Sequence, residues 1–158
     1  MSVIRDLTQK ERTAFDKRVV HGRALLAEAG HRVGDDALAA AQAIAAARSS
    51  AVDVEALVDL GALWLECAAA ASAWRVRAWP AGKKGLPMLF SPAHDVAIMG
   101  EQLIRIGANK THGLGPDAPV ELMRAVLEGG VQGDLHARYA GCGIVKPSKH
   151  LGIEAPTS

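Results

Sequence analysis

At 158 residues the chain has room for one domain with a core of its own and is short for two. Its apolar fraction is 49% but aromatics make up only 4%, so alanine carries much of the hydrophobicity and elements must approach closely to gain contact. A net charge of +1 argues against a uniformly basic nucleic-acid binder, and the two distant cysteines, Cys67 and Cys142, argue against a disulfide framework.

The pattern predicts an all-α fold: a single bundle of about five helices over residues 1–142, followed by an extended C-terminal tail over 143–158. Thr8-Gln9-Lys10-Glu11 has the spacing of a capping box, in which the Thr hydroxyl and the Glu carboxylate each accept from an otherwise open amide. The first helix then runs to about residue 29, with Phe15, Val19, Gly22 and Leu26 on one face and Gly30 as its stop. Asp35 is placed to cap a second, nearly all-alanine helix over 37–48, with Leu38 and Ile44 its only large apolar residues. Asp53 caps the third and longest. Leu57, Leu60, Trp64, Cys67, Ala71 and Trp74 follow a helical stripe that makes it the spine, and Pro80 and Gly82 end it.

Residues 81–90 read as a loop. Ser91 and Pro92 then start a fourth helix whose apolar face is Val96, Met99, Leu103 and Ile106, with Glu101 and Arg105 able to pair outside. A fifth helix covers 119–128 and breaks at Gly129-Gly130, and a short helical piece follows at 134–140. The run from Cys67 to Trp74, bounded by Glu66 and Arg75, is too short to span a bilayer, and no signal peptide precedes the first polar helix. A cytoplasmic protein with no membrane association is expected.

Charge is unevenly spread. Residues 67–116 hold six bases and two acids, whereas the flanking thirds are slightly acidic. The concentration is sharpest in Ala73-Trp74-Arg75-Val76-Arg77-Ala78-Trp79-Pro80-Ala81-Gly82-Lys83-Lys84, with two tryptophans, four cations and no acid. On a helix, Trp74 with Arg77 and Arg75 with Trp79 lie about one turn apart, so indole and guanidinium share a face suited to stacking bases and neutralising phosphates. The structural alternative is that Trp74 closes the core stripe, Trp79 covers the helix end, and the cations complement the helix dipole. Trp74, Arg75, Arg77, Trp79, Lys83, Lys84, Arg105 and Lys110 form the candidate nucleic-acid-binding set. Gly82-Lys83-Lys84-Gly85 is not a phosphate-binding Walker loop, because it lacks the upstream glycine, the Ser/Thr and a preceding strand.

No catalytic set assembles. His94-Asp95 has the central signature of HD phosphohydrolases, with His31 and Asp134 in the right order to complete a metal site, but the pair falls at a predicted helix start, where Asp is favoured by the dipole alone. Glu28-Ala29-Gly30-His31 has the E-x-x-H spacing of di-iron bundles, which require it twice. His21, His112, His136 and His150 lack metal-ligand spacing, and Cys142 between two glycines is a turn thiol rather than a nucleophile. The paired acidic motifs of MazG-like pyrophosphohydrolases are missing. No cofactor and no metal are expected.

In size, helical character and the basic segment from Trp74 to Lys84, the chain resembles the small helical subunits of CRISPR ribonucleoprotein effector complexes over residues 8–140. The resemblance implies a non-enzymatic, RNA-binding or single-strand-binding subunit of a nucleoprotein assembly, in copies stacked along a backbone and reading no bases. Protein partners in a larger assembly, or a homo-oligomer, follow from it. The alternatives are a metal-dependent HD-type hydrolase through His94 and Asp95, and a helical adaptor whose alanine-rich faces complete a partner's bundle.

Overall fold

The computed structural model describes residues 4–32, 34, 36–47, 53–81, 84–108, 118–129 and 144–147. Among them the chain forms five helices and four strands: α1 (Gln9–Glu28), α2 (Ala37–Ala47), α3 (Val54–Ala71), β1 (Arg75–Ala81), β2 (Lys84–Phe90), β3 (Ala97–Ile98), α4 (Gly100–Ala108), α5 (Ala118–Glu128) and β4 (Ile144–Val145). The strands pair antiparallel in the order β1-β2-β3-β4. The all-α helical bundle expected from the sequence is therefore corrected to a mixed fold, a helical layer packed on one face of a small sheet. Of the three features that carried the resemblance to the small helical subunits (size, all-helical character and the basic segment), the all-helical character is the one corrected.

Local chemistry sets the helix ends. The Thr8 hydroxyl accepts from the Glu11 amide at 3.1 Å while Glu11 Oε1 accepts from the Thr8 amide at 2.9 Å, which is the capping box. At the other end Gly30 takes a left-handed φ of 86°, and the His31 amide reaches back to the Leu26 carbonyl. Asp36 caps α2, its Oδ1 accepting from the amides of Leu38 and Ala39, while Asp35 lies outside the described residues. Asp53 caps α3 through the Ala56 amide at 2.7 Å.

The third helix departs from expectation at its far end. It stops at Ala71, where the Ser72 backbone turns extended and its hydroxyl donates to the Ala68 carbonyl and accepts from the Trp74 amide. Within the helix, every residue from Asp59 to Leu65 is buried, because α1, α4, α5 and the sheet pack around it. Trp64 is fully buried and its indole N–H donates to the Pro119 carbonyl at 3.0 Å. Two contacts are closer than any side chain permits. A Cβ on Gly22 would lie 2.6 Å from the Asp59 carbonyl oxygen, and one on Gly61 would lie 2.7 Å from the backbone of Gly100 and Glu101. Glycine at these crossings lets α1 and α4 seat directly on α3.

Residues 75–81 and 84–90 form the paired strands of a hairpin, in place of the expected helix end followed by a loop. Arg75 pairs with Phe90, Arg77 with Met88 and Trp79 with Leu86. Directly paired residues share a face, so these six side chains lie on one side, with Val76, Ala78, Leu89 and Pro87 on the other. Of the second set, Val76 and Leu89 join Ile98 and Ile144 against the helices, in the main core. The prolines sit where no ladder donor is required. Ala78 exchanges backbone hydrogen bonds with Arg5, which directs the even-numbered positions of β1, Pro80 included, toward the sheet edge. Pro87 would meet β3 at Gly100, where α4 has already begun.

The fourth helix begins at Gly100 rather than at Ser91. Ser91 instead closes a turn, its hydroxyl donating to Asp95 Oδ1 and accepting from the amides of Asp95 and Val96. Val96 is buried ahead of the helix, and Leu103 and Ile104 bury its inner face. The helical piece expected at 134–140 lies outside the described residues, while Ile144–Val145, placed by sequence in the extended tail, pair with β3.

Candidate functional site: the outer face of the hairpin

The face of the sheet turned away from the helices carries its own small core. Met88, Phe90 and Ala97 are buried there, with Ile4, Trp79, Leu86, Met99 and Val145 packed around them. Arg75, Arg77 and Trp79 project onto this same face at alternate positions of β1. Strand geometry spaces such neighbours by about 6.6–6.8 Å.

The eight sequence-derived candidates separate into distinct environments. Trp74 is 4% exposed and belongs to the main core, as the structural alternative for that residue anticipated. Arg75 is exposed and has no carboxylate partner among the described residues. Arg77 is tied on two sides: its Nε donates to Asp6 Oδ1 at 3.0 Å, and its Nη1 lies 3.0 Å from His94 Nε2. Trp79 is half-buried and stacks on Phe90 with ring centroids 6.1 Å apart. Lys84 opens β2 and Arg105 lies in α4, while Lys83 and Lys110 fall outside the described residues. The helical pairings of Trp74 with Arg77 and of Arg75 with Trp79 are replaced by strand alternation, which sends Trp74 inward and aligns the other three.

His94 completes the face. It takes a positive φ of 58°, uncommon for a residue with a Cβ, and sets its ring edge-on to Phe90 at 5.8 Å. A guanidinium only donates, so Nε2 accepts from Arg77 and the ring proton resides on Nδ1. Burial, and then the neighbouring Arg77 charge, hold the imidazole below its usual range. This geometry does not favour a metal reading of His94-Asp95, since Nε2 faces a cation and Asp95 Oδ1 accepts from Ser91. Among the described residues no group of three or more His, Cys, Asp or Glu side chains could hold a metal ion. Glu28 ends α1 and His31 follows its stop, while Asp134 and Cys142 lie outside the described residues.

A second carboxylate anchors the hairpin from below. Glu11 accepts from Arg5 through both oxygens at 2.6 and 2.9 Å, and also from the amides of Thr8 and Gly85. The Arg5 guanidinium, followed by the two amides, holds this carboxyl far below the usual range. The contact joins the first residues, α1 and β2 at one point. It lies at the edge of a cleft of about 630 Å³ that also includes Phe15, Leu65 and Met99. The polar rim of that cleft is largely committed internally, because Arg18 is held by Glu55 and Asp59. Sequence reasoning missed Asp6, Glu11, Phe90 and His94 as partners of the basic segment. The available signal was the period-two alternation from Arg75 to Trp79.

Comparison with protein-family models, with curated proteins and with solved structures finds no match to this chain. Among the described residues, no helix is long and apolar enough to cross a membrane.

Proposed function

We propose that the outer face of the β1–β2 hairpin is a contact surface for the backbone of a single-stranded nucleic acid, engaged without reading base identity. The observation that carries this reading is the alignment of Arg75, Arg77 and Trp79 on one face by strand alternation, Arg75 exposed and the other two half-buried. Arg75 offers an uncommitted guanidinium. Arg77 is held by Asp6, a carboxylate with 87% of its side chain exposed, and an exposed ion pair of this kind is worth at most about 1 kcal/mol, so a phosphate can replace it. Trp79 supplies a partly open ring beside the cations, the combination that grips a strand by charge and stacking together.

Two or three phosphate contacts on a chain of net charge +1 bind weakly. Copies arranged along a strand would gain avidity from the linkage, and this brings a larger assembly or a homo-oligomer into the reading. The hydrolase alternative has less support, given how His94 and Asp95 are engaged.

The test is retention on a single-stranded oligothymidylate at low salt. Affinity is expected to fall with salt at a logarithmic slope of about −0.7 per phosphate neutralised. An Arg75→Ala, Arg77→Ala double variant that keeps its fold and binds as well as the parent would remove the proposal.

A further inference from the structure

Away from the hairpin, a concavity of about 390 Å³ lies where α1 ends and the chain turns toward α2. Its floor is apolar: Leu26, Ala40 and Leu63 line it and are themselves 0–2% exposed. Its polar side chains are all basic, Arg23 from α1 and His31 and Arg32 from the segment after the Gly30 stop. Among the described residues no carboxylate lines it, and neither arginine has an ion-pair partner. Arg23 is itself exposed, and its charge reaches the buried Cys67 thiol of α3.

We infer that this concavity binds a small organic anion, with an apolar body on the Leu26–Leu63 floor and a carboxylate or phosphate head between Arg23 and Arg32. Three features support the assignment together. The volume lies within the range of small-molecule sites. The floor offers apolar contact that a bare inorganic ion would not use. Two planar guanidiniums without a partner acid match a forked anionic group, to which they donate paired hydrogen bonds. The site uses none of the hairpin residues, so it stands or falls apart from the nucleic-acid reading.

Isothermal titration of the full chain with phenyl phosphate, benzoate, phenol and inorganic phosphate tests it. Phenyl phosphate or benzoate is expected to bind with one-site stoichiometry, and which of the two binds more tightly identifies the head group. Phenol and inorganic phosphate, each lacking half of the recognition, should bind at least about tenfold more weakly. Arg23→Gln and Arg32→Gln are exposed substitutions that should leave the melting temperature nearly unchanged and each weaken the organic anion by about tenfold. The Arg75→Ala, Arg77→Ala variant should bind it like the parent. Absence of binding by both organic anions, equal binding of phenol, or undiminished binding by a folded Arg23→Gln, Arg32→Gln double variant would each overturn the inference.

Discussion

The spine helix and the hairpin that follows it use similar residues to opposite ends. In α3, apolar side chains recur every three or four residues from Leu57 to Cys67, and neighbours on several sides bury the helix nearly all round. From Arg75 to Phe90 the period is two: one face enters the common core, and the other carries cations, Trp79 and a separate small cluster. The first region holds the fold together and the second presents a surface. Variants in the two regions should therefore fail differently, one losing stability and the other losing contact.

Trp64→Ala should show the largest effect, because it empties a fully buried site and leaves the Pro119 carbonyl without its indole donor. A loss of about 3–5 kcal/mol is expected in denaturant unfolding. Gly61→Ala comes next. The added methyl would lie 2.7 Å from the Gly100 and Glu101 backbone, which cannot rotate away, so α4 must shift at a cost of about 1–3 kcal/mol in the same measurement. Replacement of Asp53 by Ala removes one cap from α3 and should cost about 1 kcal/mol.

Acid pH examines the joint between α1 and the hairpin. Glu11 has a folded-state pKa below its unfolded value, so its contribution is fully present above the ordinary carboxylate range. It is lost as pH falls through the depressed folded value. Hydrogen exchange at Gly85 should accelerate only in strong acid in the parent, and already near neutrality in Glu11→Gln. The smallest stability effect belongs to Arg75→Ala, an exposed change expected within about 0.5 kcal/mol of the parent while oligonucleotide retention drops. A large stability loss there would erase the contrast between scaffold and surface.

What the sequence disclosed was local. Thr8 with Glu11, Asp53, and Gly30 act within one helical turn, and each performs the expected role. The α3 stripe was also legible as far as Cys67, since it repeats over several turns. The hairpin was not. Of its fourteen strand residues only Val76 is β-branched, the alternation is short, and the preceding alanines continue a helical pattern up to Trp74. Pro80 read as a helix terminator, because its tolerance at a strand depends on the strand's outer side, which is set by the pairing of Ala78 with Arg5, seventy-three positions before it. The partners of the basic face were hidden for the same reason: Asp6, Arg77 and His94 meet only once the sheet has formed.

Pro80 has one more effect. An open strand invites a neighbouring molecule to add its own, and growth of that kind ends in insoluble ribbons. Along β1 such an intruder would find Ala78 already occupied by Arg5 and, two positions on, a ring with no proton to give. At these two positions the β1 margin is blocked by backbone chemistry, so that contacts made there fall to side chains and not to an added strand.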